Sequence, residues 1–279
     1  MTLHTDPTAR TVPDRARTVT SLPTVLVALA ASVALLAGIA LAQDAATQTD
    51  DVPDDAEAIL DHMVENLRGG GQRAILTMRV ERDDDVREYR LEVISDGTER
   101  SLTSVVEPPR DAGQAFLVDG DELFVYSPRL GRSLRLPPSG RSDGFLGSDL
   151  SYDDLAGDEV RDDYDATVAA RDDTTVTLSL VPHPTAPTPY GELRFTASLP
   201  DLAPLELEYV DQRGEVVKRL TLGEFRELED GKRVPTRFEV VDLTGDGGRT
   251  VAEWTDVEFG VEPPDRCFTQ QALERGCDW

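Results

Sequence analysis

The hydropathy pattern of the chain changes twice. Residues 1–20 are polar and carry Arg10, Arg15 and Arg17, whereas residues 22–42 are apolar throughout except for Thr24 and Ser32. After a short acidic stretch, Ala56, Ile59, Leu60, Met63, Val64 and Leu67 recur at helical spacing, behind a cap offered by Asp54 or Asp55 and ahead of Gly69-Gly70-Gly71. That arrangement predicts an amphipathic helix terminated by glycine. From Arg73 the period becomes twofold and stays so to Gly260. Ala74, Leu76, Met78 and Val80 alternate with Ile75, Thr77, Arg79 and Glu81; beyond the turn at Asp83–Asp85, Tyr89, Leu91 and Val93 alternate with Glu88, Arg90 and Glu92. Successive side chains of a strand point to opposite faces, so these strands have one apolar and one charged face.

Further strands are predicted over residues 102–106, 114–118, 123–126, 166–170, 176–181, 193–197, 205–210, 216–225, 234–243 and 250–259, the second and third being more continuously apolar. Short strands joined by turns, without helical segments between them, predict a mainly β antiparallel fold, either a barrel or a β-sandwich. Between the strand ending at Ser127-Pro128 and residue 166, the pattern hands over to a covering piece. Gly120-Asp121 is a tight-turn pair, Pro137-Pro138 removes backbone donors and stops pairing, and Ser148 or Ser151 can cap a short helix with Asp149, Asp153 and Asp154 in its first turn. Phe145, Leu146, Leu150, Tyr152 and Leu155 give that helix a greasy side. It is expected to act as a lid, and with the helix at residues 56–67 to plug the inner face of the sheet.

Composition changes the picture at the ends. Polar residues 1–20, the apolar run, and the small-x-small pattern Ala40-Leu41-Ala42 predict an export signal cleaved before Gln43; the alternative is an uncleaved anchor in the cytoplasmic membrane formed by residues 22–42. Either way the chain is expected outside the cytoplasm, in the periplasm or cell envelope. No cysteine follows the apolar run to take a lipid. The domain reading is therefore a signal or anchor at 1–42, an acidic linker at 43–55, a β domain at 56–260 and a C-terminal tail at 261–279. In that tail Cys267 and Cys277 are the only cysteines, and in an exported chain they are expected to form a disulfide. The formal net charge of -26 disfavours nucleic acid and anionic membrane surfaces as partners.

Candidate chemistry is sparse. Gly147-Ser148-Asp149 lacks the flanks of a hydrolase elbow, and the three histidines, His4, His62 and His183, lie in unrelated segments. Carboxylates are too numerous for any pair to single itself out, and no glycine-rich phosphate loop occurs. Asp242, Thr244, Asp246, Gly247 and Glu253 match the spacing of a calcium loop, but strand alternation flanks them on both sides, which favours a hairpin turn. No metal, cofactor or catalytic residue is expected, and an enzyme using the carboxylates is the least favoured class.

The ordered segments Asp111-Ala-Gly-Gln-Ala-Phe-Leu117, Leu123-Phe-Val-Tyr-Ser-Pro128, Arg135-Leu-Pro-Pro138, Phe145-Leu-Gly-Ser-Asp149 and Tyr152-Asp-Asp-Leu155 resemble the outer-membrane lipoprotein-sorting protein family, the LolA-like carriers, over roughly residues 56–259. The resemblance implies a strongly curved, incompletely closed antiparallel β-barrel with a small helical lid and a hollow interior that receives acyl chains. The inward positions are taken to be Leu76, Met78, Leu91, Val93, Phe116, Phe124, Leu178, Phe195, Leu207, Phe238 and Trp254. By alternation alone they suit a filled core as well as a cavity; the resemblance implies the cavity. The expected function is an exported lipid or lipoprotein carrier, handing cargo to or from a membrane transport protein. The alternative is a membrane-anchored periplasmic sensor that reads lipid or stress and informs a signalling protein.

Overall fold

In the computed structural model, residues 52–137, 140–141, 143–152, 159–186, 188–244 and 247–279 are described; the predicted signal or anchor and most of the linker lie outside them. The carboxylate of Asp55 accepts from Ala58 N at 3.1 Å and caps helix α1, Ala56–Arg68. The helix ends where Gly69 takes a left-handed conformation, φ 61°, which glycine adopts without steric cost. Ile59, Leu60, Met63 and Val64 are buried on one side of α1 against Leu178, Leu180, Phe195, Tyr209 and Leu222 of the sheet.

Thirteen antiparallel strands follow: β1 Gln72–Arg82, β2 Asp85–Ser95, β3 Arg100–Glu107, β4 Ala115–Asp119, β5 Glu122–Ser127, β6 Arg132–Arg135, β7 Tyr164–Arg171, β8 Thr175–Pro182, β9 Glu192–Ser198, β10 Pro204–Val210, β11 Val216–Glu227, β12 Arg233–Asp242 and β13 Gly248–Phe259. They form one sheet in the order β6-β5-β4-β3-β2-β1-β13-β12-β11-β10-β9-β8-β7. Two meanders, β1–β6 and β7–β13, are thus joined where the first strand pairs with the last. The sandwich alternative is excluded by this continuity. The sheet curls but does not close, because β6 and β7 are its two ends. Register shifts at Arg73/Ile75, Arg90/Leu91, Val168/Ala170, Pro204/Glu206 and Tyr209/Val210 add local twist, which is how a long sheet is bent into a cup. The turns are tight where the sequence marks them: Asp83 and Gly120 have φ of 50° and 56° within two-residue connections that bring Arg82 opposite Asp85 and Asp119 opposite Glu122.

The convex side of β1, β2, β12 and β13 carries a continuous ionic chain. Arg79 donates to Glu88 (2.8 Å) and Glu81 (2.7 Å), Arg249 joins Glu81 (3.3 Å) to Glu239 (2.8 Å), and Arg237 joins Glu239 (3.3 Å) to Glu253. Hydrogen bonds from Arg79 hold the Glu81 carboxyl below its ordinary range, and those from Arg249 do the same for Glu239. These groups are solvated, so the chain contributes solubility and pairing register more than stability.

The other convex region, over β3 to β6, is apolar and is covered by the tail. A short 3-10 turn at Asp265–Cys267 leads into the C-terminal helix, Gln270–Arg275, whose cap Thr269 accepts from Ala272 N at 3.2 Å. Cys267, Phe268, Ala272 and Leu273 are buried against Ile94, Leu102, Ala115 and Leu117. Cys267 and Cys277 are bonded, with Cα atoms 5.2 Å apart. Replacing both cysteines by serine is expected to lower stability by about 2–3 kcal/mol, the loop-entropy value for a loop of this size. Denaturant melts of the oxidised chain and the double variant check this, and equal midpoints would contradict it.

Phe124 belongs to this convex cluster, half-buried beside Tyr126 and Cys277, and not to the inner face where the sequence places it. Register gives the reason. Phe124 lies opposite Leu117, whereas Val125 lies opposite the inward Phe116. With the tail on one side and the cup on the other, β4 and β5 are apolar on both faces, and alternation does not tell the faces apart.

Candidate functional site

Of the segment expected to form the lid, residues 145–155, those up to Tyr152 are described, preceded by Asp143 and Gly144. Phe145–Gly147 form a 3-10 turn in which Leu146 has φ 52°, and Gly144 bridges to Ser151. No helix starts at Ser148, whose Oγ accepts from Leu150 N (3.2 Å) and donates to Leu150 O (3.3 Å), closing a local turn; at the alternative cap, Ser151, the next residue, Tyr152, is helical. Backbone geometry explains the difference, since Gly147 also has positive φ, 71°, and neither residue can continue a right-handed helix. Leu155, together with Asp153 and Asp154, lies outside the described residues.

Phe145 is fully buried. Its ring meets Phe116 edge-on at 4.8 Å and Tyr152 at 5.7 Å. Leu146 and Leu150 pack on the same cluster, which includes Met78, Leu91 and Val105. Burial, and then the nearby Asp143, push the Tyr152 phenol up. Polar contacts clamp the lid at its two shoulders. On one, Arg87 Nη2 donates to Gly147 O (3.1 Å) and the Tyr89 hydroxyl to Leu146 O (3.3 Å). On the other, the Asp149 carboxylate, only 3% exposed, accepts from Thr250 Oγ1 (2.7 Å) and Arg82 Nη2 (2.5 Å), while Asp149 N donates to Thr250 Oγ1 (3.0 Å). Gly248 makes room for this, because a β-carbon there would stand 2.3 Å from Asp149 Oδ1. Thr250→Val leaves a buried carboxylate with one partner fewer and is expected to loosen the lid by about 1–3 kcal/mol. Hydrogen exchange should quicken at Ser148–Tyr152 and not in β1 or β13; unchanged lid protection would refute the assignment.

Beneath the lid and beside α1 lies a cavity of about 400 Å³, within the range of small-molecule sites. Of the expected inward residues, Leu76, Leu91, Val93, Phe195, Leu207, Phe238 and Trp254 line it, with Phe145 and Leu150 of the lid and Val64 and Leu67 of α1. Met78, Phe116 and Leu178 are buried in the packed clusters at its flanks and do not reach its wall. Lining residues not singled out in the sequence include Leu193, Leu220, Leu222, Tyr164, Tyr190 and Tyr209. Several sit two positions from a recognised inward residue, as Leu193 from Phe195 and Tyr209 from Leu207, so the same twofold period marks them. One end of the cavity is bordered by Gln72, Ser95 and Ser101; the other by Asp163, Tyr164 and Thr188. Burial, and then Asp162, raise the Asp163 carboxyl above its usual range, with His183 opposing.

At the calcium-like spacing, Gly247 N donates to Thr244 O at 3.1 Å. Asp242, at the end of β12, accepts from Thr244 N (2.8 Å) and Thr244 Oγ1 (2.6 Å), and Glu253 is paired with Arg237. Gly245 and Asp246 lie outside the described residues. Among those described, no group of three or more His, Cys, Asp or Glu residues could hold a metal ion. His62 Nδ1 contacts Ala58 O on the exposed side of α1, and His183 Nε2 contacts Asp165.

The fold has solved counterparts. A DUF1329 family protein from Desulfovibrio piger superposes with TM-score 0.70 at 22% identity, covering 79% of this chain and 100% of that one. An outer membrane lipoprotein-sorting protein domain from Vibrio parahaemolyticus gives 0.67 at 20% identity, covering 79% and 98%. A LolA superfamily protein from Nitrosomonas europaea gives 0.63 at 24% identity, covering 77% and 98%. No curated protein matches the sequence. Residues 97–275, more than half of the chain, match the model of a family described as "-like: Uncharacterized protein". The chain belongs to that family, and its fold is the curled, open β-cup of the LolA-like, outer-membrane lipoprotein-sorting proteins.

Proposed function

We propose that the chain is an exported carrier that holds the acyl chains of a lipid or lipoprotein in the cavity under the lid. The observation that supports this reading is the lidded apolar space itself, walled by Leu76, Leu91, Val93, Phe195, Leu207, Phe238 and Trp254. Each methylene moved there from water contributes about 0.8 kcal/mol, and none needs a directional partner. Affinity then grows with chain length until the space is full, less the cost of ordering a flexible tail. Release requires the lid to lift, and the lid is small, glycine-jointed and held by a limited set of hydrogen bonds. Export is supported by the apolar segment at 22–42 and by the bonded Cys267–Cys277 pair, since such pairs persist outside reducing compartments.

The test is native mass spectrometry of the chain isolated from its own cell envelope, with uptake of a fluorescent fatty acid by the stripped protein. Adducts of lipid mass and saturable uptake are expected. A bare polypeptide together with no uptake would overturn the carrier reading.

A further inference from the structure

The two margins of the cup are not equally protected. At β7 the chain is covered from α1: Ala166 N donates to Glu57 Oε1 at 3.1 Å, and Arg171 donates to Pro53 O (3.4 Å) and Asp54 (3.2 Å) just ahead of the helix. At β6 the hairpin sets Arg132 opposite Ser127, Leu134 opposite Val125 and Arg135 opposite Phe124, and Leu136 N donates to Leu123 O at 2.8 Å. Alternate residues of an antiparallel strand turn their main-chain groups to the same side. Arg132, Leu134 and Leu136 therefore bond to β5, while Ser133 and Arg135 direct N–H and C=O outward, where no strand among the described residues pairs with them.

The side chains along this edge are also distinctive. Leu134, on the concave face beside Val125, is 47% exposed, and Leu130 in the preceding turn is 59% exposed. Residues 128–137 hold Arg129, Arg132 and Arg135 and no carboxylate, in a chain of net charge -26. Arg135 reaches Glu122 across the hairpin at 3.0 Å, both side chains being exposed. Arg132 is exposed and has no side-chain partner among the described residues.

We propose that the outer edge of β6 is a docking strand for an extended, acidic segment of a partner protein, which joins the sheet by main-chain pairing. This goes beyond the carrier reading and does not depend on it. Edge addition draws its hydrogen bonds from the main chain and its specificity from alternate side chains. The complementary strand sets an aliphatic residue beside Leu134 on the concave face, a carboxylate beside Arg135 on the convex face, and a further carboxylate at the Arg132 end. A second copy of the chain suits the edge poorly. Pairing β6 with β6 brings arginine to arginine, and β7 already spends its Ala166 donor on Glu57. Charged residues on an edge strand also discourage indiscriminate pairing; a guard of that kind alone would leave β6 without any ligand.

The experiment is fluorescence anisotropy of the exported chain with a short fluorescein-labelled peptide that alternates glutamate with valine and carries glutamate at both ends. The controls are the same peptide with lysine for glutamate and a glutamate form N-methylated throughout, which keeps the charge and removes the ladder donors. The glutamate peptide is expected to bind at least tenfold more tightly than either control, and to slow hydrogen exchange at the Ser133 and Arg135 amides without changing β7. Arg132→Glu with Arg135→Glu is expected to weaken it at least tenfold while the melting temperature holds, since both side chains are exposed. No binding of the glutamate peptide, equal binding of the N-methylated form, protection outside β6, or full affinity in the double variant would each overturn the proposal. Concentration-dependent dimers of the chain alone in ultracentrifugation, with Ser133 and Arg135 protected, would overturn it in favour of a second copy. Each of these results leaves the acyl carrier reading untouched, because none of them reads the cavity.

Discussion

Phe145→Ala is expected to unfasten the lid while the sheet stays folded. The ring is fully buried and held by Phe116 and Tyr152, and truncating such a phenylalanine typically costs about 3–5 kcal/mol. Phe145 sits on a segment joined to the sheet by side-chain packing and a handful of hydrogen bonds, so the loss falls on the local opening equilibrium. Even about 3 kcal/mol raises the open population on the order of 100-fold. Hydrogen exchange should quicken by that order across Leu146–Tyr152, with little change in β1, β2 and β13 and a modest fall in melting temperature. Cooperative unfolding of the whole sheet instead would show that Phe145 is a keystone of the cup and not of a separable cover.

Leu207→Trp is expected to weaken acyl binding about a hundredfold without unfolding the protein. Leu207 lies mid-strand on β10, opposite Leu220 and Phe195, and its side chain faces the open space of about 400 Å³. An indole enters that space without displacing packed neighbours, unlike an enlargement inside a filled core, which costs about 1–3 kcal/mol. A dodecyl tail that loses room for four methylenes forgoes roughly 3 kcal/mol, about a hundredfold in affinity. Fluorescent fatty-acid titration beside a thermal melt checks both halves: binding weakened and melting retained is the expected pair. A steep fall in melting temperature would show that the site is filled core, and unchanged binding would place the ligand elsewhere.

Much of this architecture is legible in the amino acids. Helix α1 is written in its Asp cap, its apolar stripe and its terminating glycine, and the β body in a period of two that persists along almost every strand. The wall residues Leu76, Leu91, Val93, Phe195, Leu207, Phe238 and Trp254 follow from that period because the strands there are apolar mainly on one face, Ile94 of β2 being the exception. Phe124 does not follow, since the tail makes the convex face of β5 apolar too. Met78, Phe116 and Leu178 are on the inward face, yet their distance from the plug and lid decides whether they touch space or neighbours, and distance along a curled sheet is a property of three dimensions. The lid shows the remaining gap. Its greasy residues are evident, but a left-handed Leu146 is held by the surrounding contacts and has no local signature.

The unpaired flanks β6 and β7 have a mechanical consequence. A closed barrel has its girth set by strand number and stagger, and widening it means breaking main-chain bonds. Here the circumference is interrupted, so the two margins can move apart or together while every ladder between them stays intact, resisted by side-chain packing and by the hydrogen bonds of the lid and α1. On the carrier reading proposed above, such a clasp adjusts its bore to the bulk of what it grips, and one protein can then accommodate guests of unequal thickness.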